Sequence, residues 1–190
     1  MKPIIIISGG AGTGKSTVAK AVAKALKLRH VSAGDKMREL AREIGFKSEG
    51  EEFVKFQDYV KKHKDIDKKL DKMIIDDVSK GNCVVDSRLA AYLVKNADYK
   101  ILLKVPERLA AERIALREGV SIDEALKQNN ARNKKEWKRY KKLYKIDIND
   151  LSPYDLVLDT SKFSIKNMNK VAIFAVKTYI KGTSKVFKGK

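Results

Sequence analysis

The sequence predicts an α/β fold with three layers, α/β/α, built around a five-stranded parallel sheet. Five short runs have strand character: Ile4–Ile7, Arg29–Ser32, Cys83–Asp86, Ile101–Val105 and Leu156–Asp159. Helix-patterned stretches separate them and are long enough for the crossovers that parallel strands need. Between the first strand and the first helix lies Gly9-Gly10-Ala11-Gly12-Thr13-Gly14-Lys15-Ser16, which fits the pattern G-x-x-x-x-G-K-[ST] of a phosphate-binding loop. These observations place the chain among doubly wound sheets, whose ligands sit at the carboxyl ends of the strands.

The elements follow in order. Ile4-Ile5-Ile6-Ile7 is a continuous β-branched run, as expected of a central strand buried on both faces. The stretch from Thr17 to Leu26 is alanine-rich, with Val18, Val22 and Leu26 four apart on one helical face. Asp35 is expected to cap a helix from Lys36 to Ile44, and Gly45 to end it. Residues 48–80 read as charged helices whose apolar positions, Phe53, Phe56, Val60, Leu70, Met73, Ile74 and Val78, recur at spacings of three and four. Phe53, Phe56 and Tyr59 are read as packing residues, and His30 and His63 carry no assigned chemistry. Pro106 opens the helix bearing Arg113 and Arg117. Gly119 closes that helix, and Ser121-Ile122-Asp123-Glu124 reads as a capping box for the next one. Val176 and Ile180 align in a final helix, with a frayed tail expected over residues 182–190.

Composition bounds the function. At 190 residues the chain is one domain, 1–190, with a helical insertion over 35–80 and a short lid over 118–140. A lone Cys83 excludes an internal disulfide and a four-cysteine zinc site, and no His/Cys/carboxylate cluster has metal-ligand spacing. No run approaches 18 apolar residues, and the strand at the very start leaves no room for a cleavable signal, so a cytoplasmic protein is expected. The net charge of +18 is uneven: Lys127–Lys145 holds nine basic residues and one acid, Glu136. Such a stretch suits a seat for polyanionic nucleotides and leaves contact with RNA open.

The loop supplies the chemistry. Its glycines allow φ > 0, so backbone N–H groups converge on an anion at the positive end of the following helix. Gly9, Gly10, Ala11, Gly12, Thr13, Gly14, Lys15, Ser16 and Thr17 are the candidate ATP-binding residues, with Lys15 reaching the β- and γ-phosphates and Ser16 holding Mg²⁺. Asp86, at the end of a parallel strand beside the loop, is the second metal candidate. Arg38, in a first helical turn where the dipole disfavours cations, and Arg88 are candidate anion clamps. Arg113, Arg117, Arg132 and Arg139 are read as a mobile arginine lid. No residue offers itself as a base for an alcohol acceptor or as a positioner of attacking water. A nucleoside monophosphate acceptor needs neither, because its phosphate is largely a dianion at neutral pH. Alignment and positive charge then suffice.

The chain resembles the nucleoside monophosphate kinases, most closely the archaeal type of cytidylate kinase. The resemblance rests on the phosphate loop, Val31–Asp35 with Arg38, Val84–Ala90, Glu112–Gly119, and the more specific block from Arg139 through Ile146–Leu156. It implies CMP and dCMP as acceptors and ATP as donor, with CDP and ADP as products; Mg²⁺ and a monomer are expected beside it. It further implies that Arg38 and Arg88 hold the acceptor phosphate, while Arg117, Arg132 and Arg139 serve the lid. Ser32, Gly34 and Asp35 join them as candidate acceptor-binding residues, and Lys15, Arg117, Arg132 and Arg139 are the candidate catalytic residues. Ser87 departs from the glycine of the family pattern; Lys15 keeps the general loop lysine. Two other readings stand beside it: an adenylate kinase-like enzyme, and an ATPase-like RNA-binding factor in ribosome assembly.

Overall fold

The computed structural model describes residues 2–48, 52, 55, 56, 58–60 and 63–186. The packing role expected of Phe53 and the tail residues 187–190 lie outside the described residues. Five strands form one sheet: β1 (Ile4–Gly9), β2 (Arg29–Ser32), β3 (Cys83–Asp86), β4 (Tyr99–Lys104) and β5 (Leu156–Asp159), in the order β2-β3-β1-β4-β5. Each neighbouring pair is parallel. The helices whose bounds fall among the described residues are α1 (Lys15–Leu26), α2 (Ala33–Glu43), α3 (Lys64–Ser79), α4 (Ala90–Leu93), α5 (Glu107–Glu118), α6 (Ile122–Tyr144) and α7 (Ile165–Val186).

The isoleucine run of β1 explains the layers. Side chains alternate across a strand, so neighbours in sequence enter opposite cores. Ile4 and Ile6 pack with Val31, Val85 and the apolar stripes of α2 and α3, including Leu40, Leu70 and Ile74. Ile5 and Ile7 pack with Val84, Ile101, Leu103 and the facing residues of α1 and α7. Cys83 lies fully buried in the first of these cores, where burial raises its thiol pKa. A third, small core joins α5 to α6 through Ala111, Ile114, Ala115 and Ala125, and Ala11 of the glycine-rich loop packs against it.

Several local expectations shift. Ser32, not Asp35, caps α2: its hydroxyl accepts from the Asp35 backbone N–H at 3.3 Å, and the helix begins three residues earlier than predicted. Serine in extended backbone presents its oxygen to the first turn as readily as aspartate, and the chain turns at the strand end without a linker. Gly45 terminates this segment in the left-handed region, with φ +94°. Ser121 accepts from the Glu124 N–H, as the capping box requires. The final helix runs through Gly182 to Val186, past the point where the tail was expected to begin.

Candidate functional site

The loop between β1 and α1 turns through Gly12 and Gly14, at φ +76° and +86°. Buried Thr13 closes the turn from within, its hydroxyl donating to the Gly10 carbonyl at 2.9 Å. Gly12 is also a site of close approach: a Cβ there would stand 2.5 Å from the Ala110 carbonyl oxygen of α5. The same helix braces the loop through Arg113. That guanidinium donates to the Gly12 carbonyl at 3.2 Å, to the Thr160 hydroxyl at 2.9 Å and to the Thr160 carbonyl at 2.9 Å. Arg113, expected among the lid arginines, is therefore tied to the loop and to the end of β5.

Register brings the strand ends into line. Ser32 of β2 pairs with Asp86 of β3, and Asp86 with Ile7 of β1, one residue before Ser8 and two before Gly9. Asp86 thus lies beside the loop, almost fully buried, with the Lys15 ammonium 3.6 Å from its Oδ1. That oxygen has no hydrogen-bond partner. A buried carboxylate oxygen without a donor is costly, and a cation held jointly with the Ser16 hydroxyl in the first turn of α1 would satisfy it. The donor set suits Mg²⁺, which takes one or two protein oxygens and fills its octahedron with phosphates and water. Among the described residues there is no group of three His, Cys, Asp or Glu able to hold a metal without such help. Burial lowers the pKa of Lys15, Asp86 pulls it back up, and Arg88 and Arg132 push it down further. Lys15, Asp86, Arg88, Arg132 and Glu136 thus lie close enough to act on one another's charge.

The second pole lies at the start of α2. Arg38 pairs with exposed Asp35 at 2.9 Å. Because the helix begins at Ala33, Arg38 lies in its second turn and not in the first, where a start at Lys36 would put it. Gly34 lies beneath them: a Cβ there would come within 3.6 Å of both the Arg38 guanidinium and the Ser32 hydroxyl. Ser32, Gly34, Asp35 and Arg38 come together at the start of α2.

The arginines divide. Arg88, just past β3, meets α6: its Nη1 donates to Asn133 Oδ1 at 2.8 Å and to Glu136 Oε2 at 2.6 Å. Arg132, one turn before Glu136, donates its Nε to Glu136 Oε1 at 2.8 Å. Burial alone would raise the Glu136 pKa, but Arg88 and Arg132 outweigh it and hold the carboxyl below its usual range. Arg139 lies over the Tyr140 ring, 5.1 Å from its centroid, and 3.9 Å from buried Asp71 of α3, which also accepts from the Tyr144 hydroxyl. Burial raises the Tyr140 hydroxyl pKa to about 12. Arg117 does not join this cluster; it pairs with neighbouring Glu118 on exposed surface.

Other contacts complete the floor of the crevice. Tyr154 donates to the Ser8 hydroxyl at 3.1 Å, and Ser8 donates to the Arg88 carbonyl at 3.3 Å. Tyr92 donates to the carbonyls of Ile148 and Asp150 and meets Tyr154 edge to face. The segment after α6 is thereby pinned to the mouth of β1. Ser87 accepts from the backbone N–H groups of Leu89 and Ala90 at 3.2 Å each, holding the turn that leads past Arg88 into the short α4. A serine there fixes the backbone from which Arg88 projects.

The profile of the cytidylate kinase-like family matches residues 4–162. The chain belongs to the cytidylate kinase-like family. A cytidylate kinase of Pyrococcus horikoshii is 45% identical over 163 residues, covering 86% of this chain and 82% of that protein. One from Methanocaldococcus jannaschii is 42% identical over 177 residues, covering 91% and 97%. A shikimate kinase from Bacteroides thetaiotaomicron shares the fold, with a TM-score of 0.59 at 13% identity, over 94% of this chain and 98% of that one. Within the cytidylate kinase-like family, the stretch matched contains the loop, the strand-end row, Arg88 and the whole of α6. No helix among the described residues is long and apolar enough to cross a membrane.

Proposed function

We propose that this chain is a cytidylate kinase, transferring the γ-phosphoryl group of ATP to CMP, and to dCMP, with CDP (or dCDP) and ADP as products. The observation that carries the reading is its 45% identity to a cytidylate kinase across nearly the whole domain. The site's chemistry supports it. The acceptor phosphate is itself the nucleophile, so no side chain need remove a proton from it. What remains is to bring two polyanions into line and to stabilise charge on the migrating phosphoryl.

Position supports a role for each residue. The backbone N–H groups of Gly9–Thr17 and the start of α1 cradle the donor phosphates. Lys15, drawn toward Asp86, stands ready to move onto the β- and γ-oxygens when they enter. Ser16 and Asp86 would hold Mg²⁺, which when bound neutralises charge on the donor phosphates. Ser32, Gly34, Asp35 and Arg38 receive CMP from the α2 side, and Arg88 takes its phosphate where the strand-end row meets the loop. Arg132 and Arg139 come in from α6, with Arg117 at the margin where α5 ends; they compensate charge on the transferring group. Such an enzyme works on the nucleotide pool of the cytoplasm.

The test is an acceptor panel. With ATP and saturating Mg²⁺, kcat/KM for CMP should exceed that for AMP, UMP and GMP by at least about tenfold, a difference of about 1.4 kcal/mol in transition-state binding. A preference for AMP would move the chain to adenylate kinase chemistry. Absence of turnover with every nucleotide, combined with salt-sensitive RNA binding, would replace the kinase reading with a binding module.

A further inference from the structure

Glu136 is the one acid in the basic stretch Lys127–Lys145, and it lies beside the arginines that would meet phosphates. Its contacts show an unusual economy. Arg88 gives it a single nitrogen, Nη1, and gives the same nitrogen to Asn133. The other terminal nitrogen, Nη2, is buried and has no hydrogen-bond partner. It lies beside the glycine-rich loop, 3.9 Å from where a Cβ on Gly10 would stand. Arg132 likewise spends only its Nε on Glu136. A carboxylate merely filling an anion site would draw the paired nitrogens of an arginine fork, since that bidentate geometry is the strongest available. Here both forks are held by one corner.

We infer that Glu136 is a positioning residue. It anchors Arg88 and Arg132 to α6, offsets the repulsion between the two guanidiniums, and leaves Arg88 Nη2 aimed at the phosphate loop. Glu136 stays engaged when substrates bind; the phosphoryl oxygens take the nitrogens it leaves free. The inference rests on the phosphoryl-transfer reading above and adds a part to that site. Burial favours the arrangement. The Arg88 side chain is 14% exposed and that of Glu136 22%, so the pairing is poorly screened by water. Asn133 makes the grip on Arg88 two-pointed, which fixes the plane of the guanidinium as well as its place.

The experiment compares wild type with Glu136→Ala, Glu136→Gln, Arg88→Ala and the double variant Arg88→Ala/Glu136→Ala. Glu136→Ala should lower kcat/KM for CMP by about 10- to 100-fold, the cost of a guanidinium misplaced by about 1 Å. The affinity for ATP alone should stay within about threefold, because the loop's own backbone makes that site. Glu136→Gln, whose amide oxygen still accepts from one guanidinium, should recover part of the loss. Because Glu136 acts through Arg88 and Arg132, the double variant should lose clearly less than the product of the two single losses, a non-additivity that no independent role gives. Circular dichroism melts and ATP binding establish that each variant folds. Three results overturn the inference: unchanged kinetics in Glu136→Ala; tighter CMP binding in that variant, which would make the carboxylate a competitor for the anion seat; and full multiplicative loss in the double variant. Failure of wild type to phosphorylate CMP would instead overturn the functional reading, and is distinguished by the same assay.

Discussion

Gly12 and Gly14 both sit in the left-handed region, yet the structure predicts very different costs for placing alanine at each. At Gly14 a Cβ would meet nothing within 4 Å, so the penalty is conformational alone. A non-glycine residue in that region costs about 1–2 kcal/mol. Reduced freedom of the unfolded chain returns about 0.4–1 kcal/mol. The net loss for Gly14→Ala is thus about 1 kcal/mol. At Gly12 the same strain applies, but the Cβ would lie 2.5 Å from the Ala110 carbonyl oxygen, 2.8 Å from its Cα and 2.9 Å from its carbonyl carbon. All three are backbone atoms of α5 and cannot rotate away. Overpacking of this kind adds about 1–3 kcal/mol, giving a total of about 2–4 kcal/mol. For a domain of this size each kcal/mol moves Tm by about 2–4 °C, so Gly14→Ala should lower Tm by about 3 °C and Gly12→Ala by about 10 °C. Urea unfolding of the nucleotide-free protein with unchanged m-value measures the difference directly. Equal losses at the two positions would refute the claim that α5 backs the loop at Gly12.

Other expectations follow from the same geometry. Arg38→Ala should raise KM for CMP by about tenfold while leaving Tm within about 2 °C, because the exposed Arg38–Asp35 pair contributes well under 1 kcal/mol to folding; steady-state kinetics beside a melt separates the two effects. Asp86→Asn should lower kcat by about 100-fold and move the Mg²⁺ requirement to higher concentration, read from a Mg²⁺ titration at fixed ATP. The acid limb of stability should involve Glu136. Its folded pKa lies below its ordinary 4.5, so its stabilisation is present above pH 4.5 and fades as the pH falls through the lower folded value. Glu136→Gln should therefore lose less stability than wild type between pH 5 and pH 3, as followed by urea midpoints at each pH.

How much of this was legible in the sequence depends on the range of the contact. The phosphate loop, the buried run of β1, Asp86 at a strand end and the α2 turn with Arg38 are local patterns, and the structure aligns the loop, Asp86 and the α2 turn at the carboxyl ends of the strands. The cap of α2 was misassigned to Asp35 because Ser32 and Asp35 are both good caps, and only the path of the backbone out of β2 selects between them. Arg113 was grouped with the lid because its spacing from Arg117 places both on one helical face; its partners, Gly12 and Thr160, are 101 and 47 residues away. The pinning of Ser8 by Tyr154, across 146 residues, has no local signature at all. Glu136 did leave a trace. A single acid amid nine basic residues, four residues after Arg132 and three before Arg139, lies on their helical face. Read that way, its isolation was the signal.

The central claim is that the γ-phosphoryl passes to a nucleotide phosphate and not to water. Mixing γ-labelled ATP, CMP and Mg²⁺ with excess enzyme for a single turnover tests it most directly. The label should appear in the β-phosphate of CDP, one for each ADP formed, with no release when CMP is omitted. Label recovered as inorganic phosphate at a rate indifferent to CMP would contradict the account.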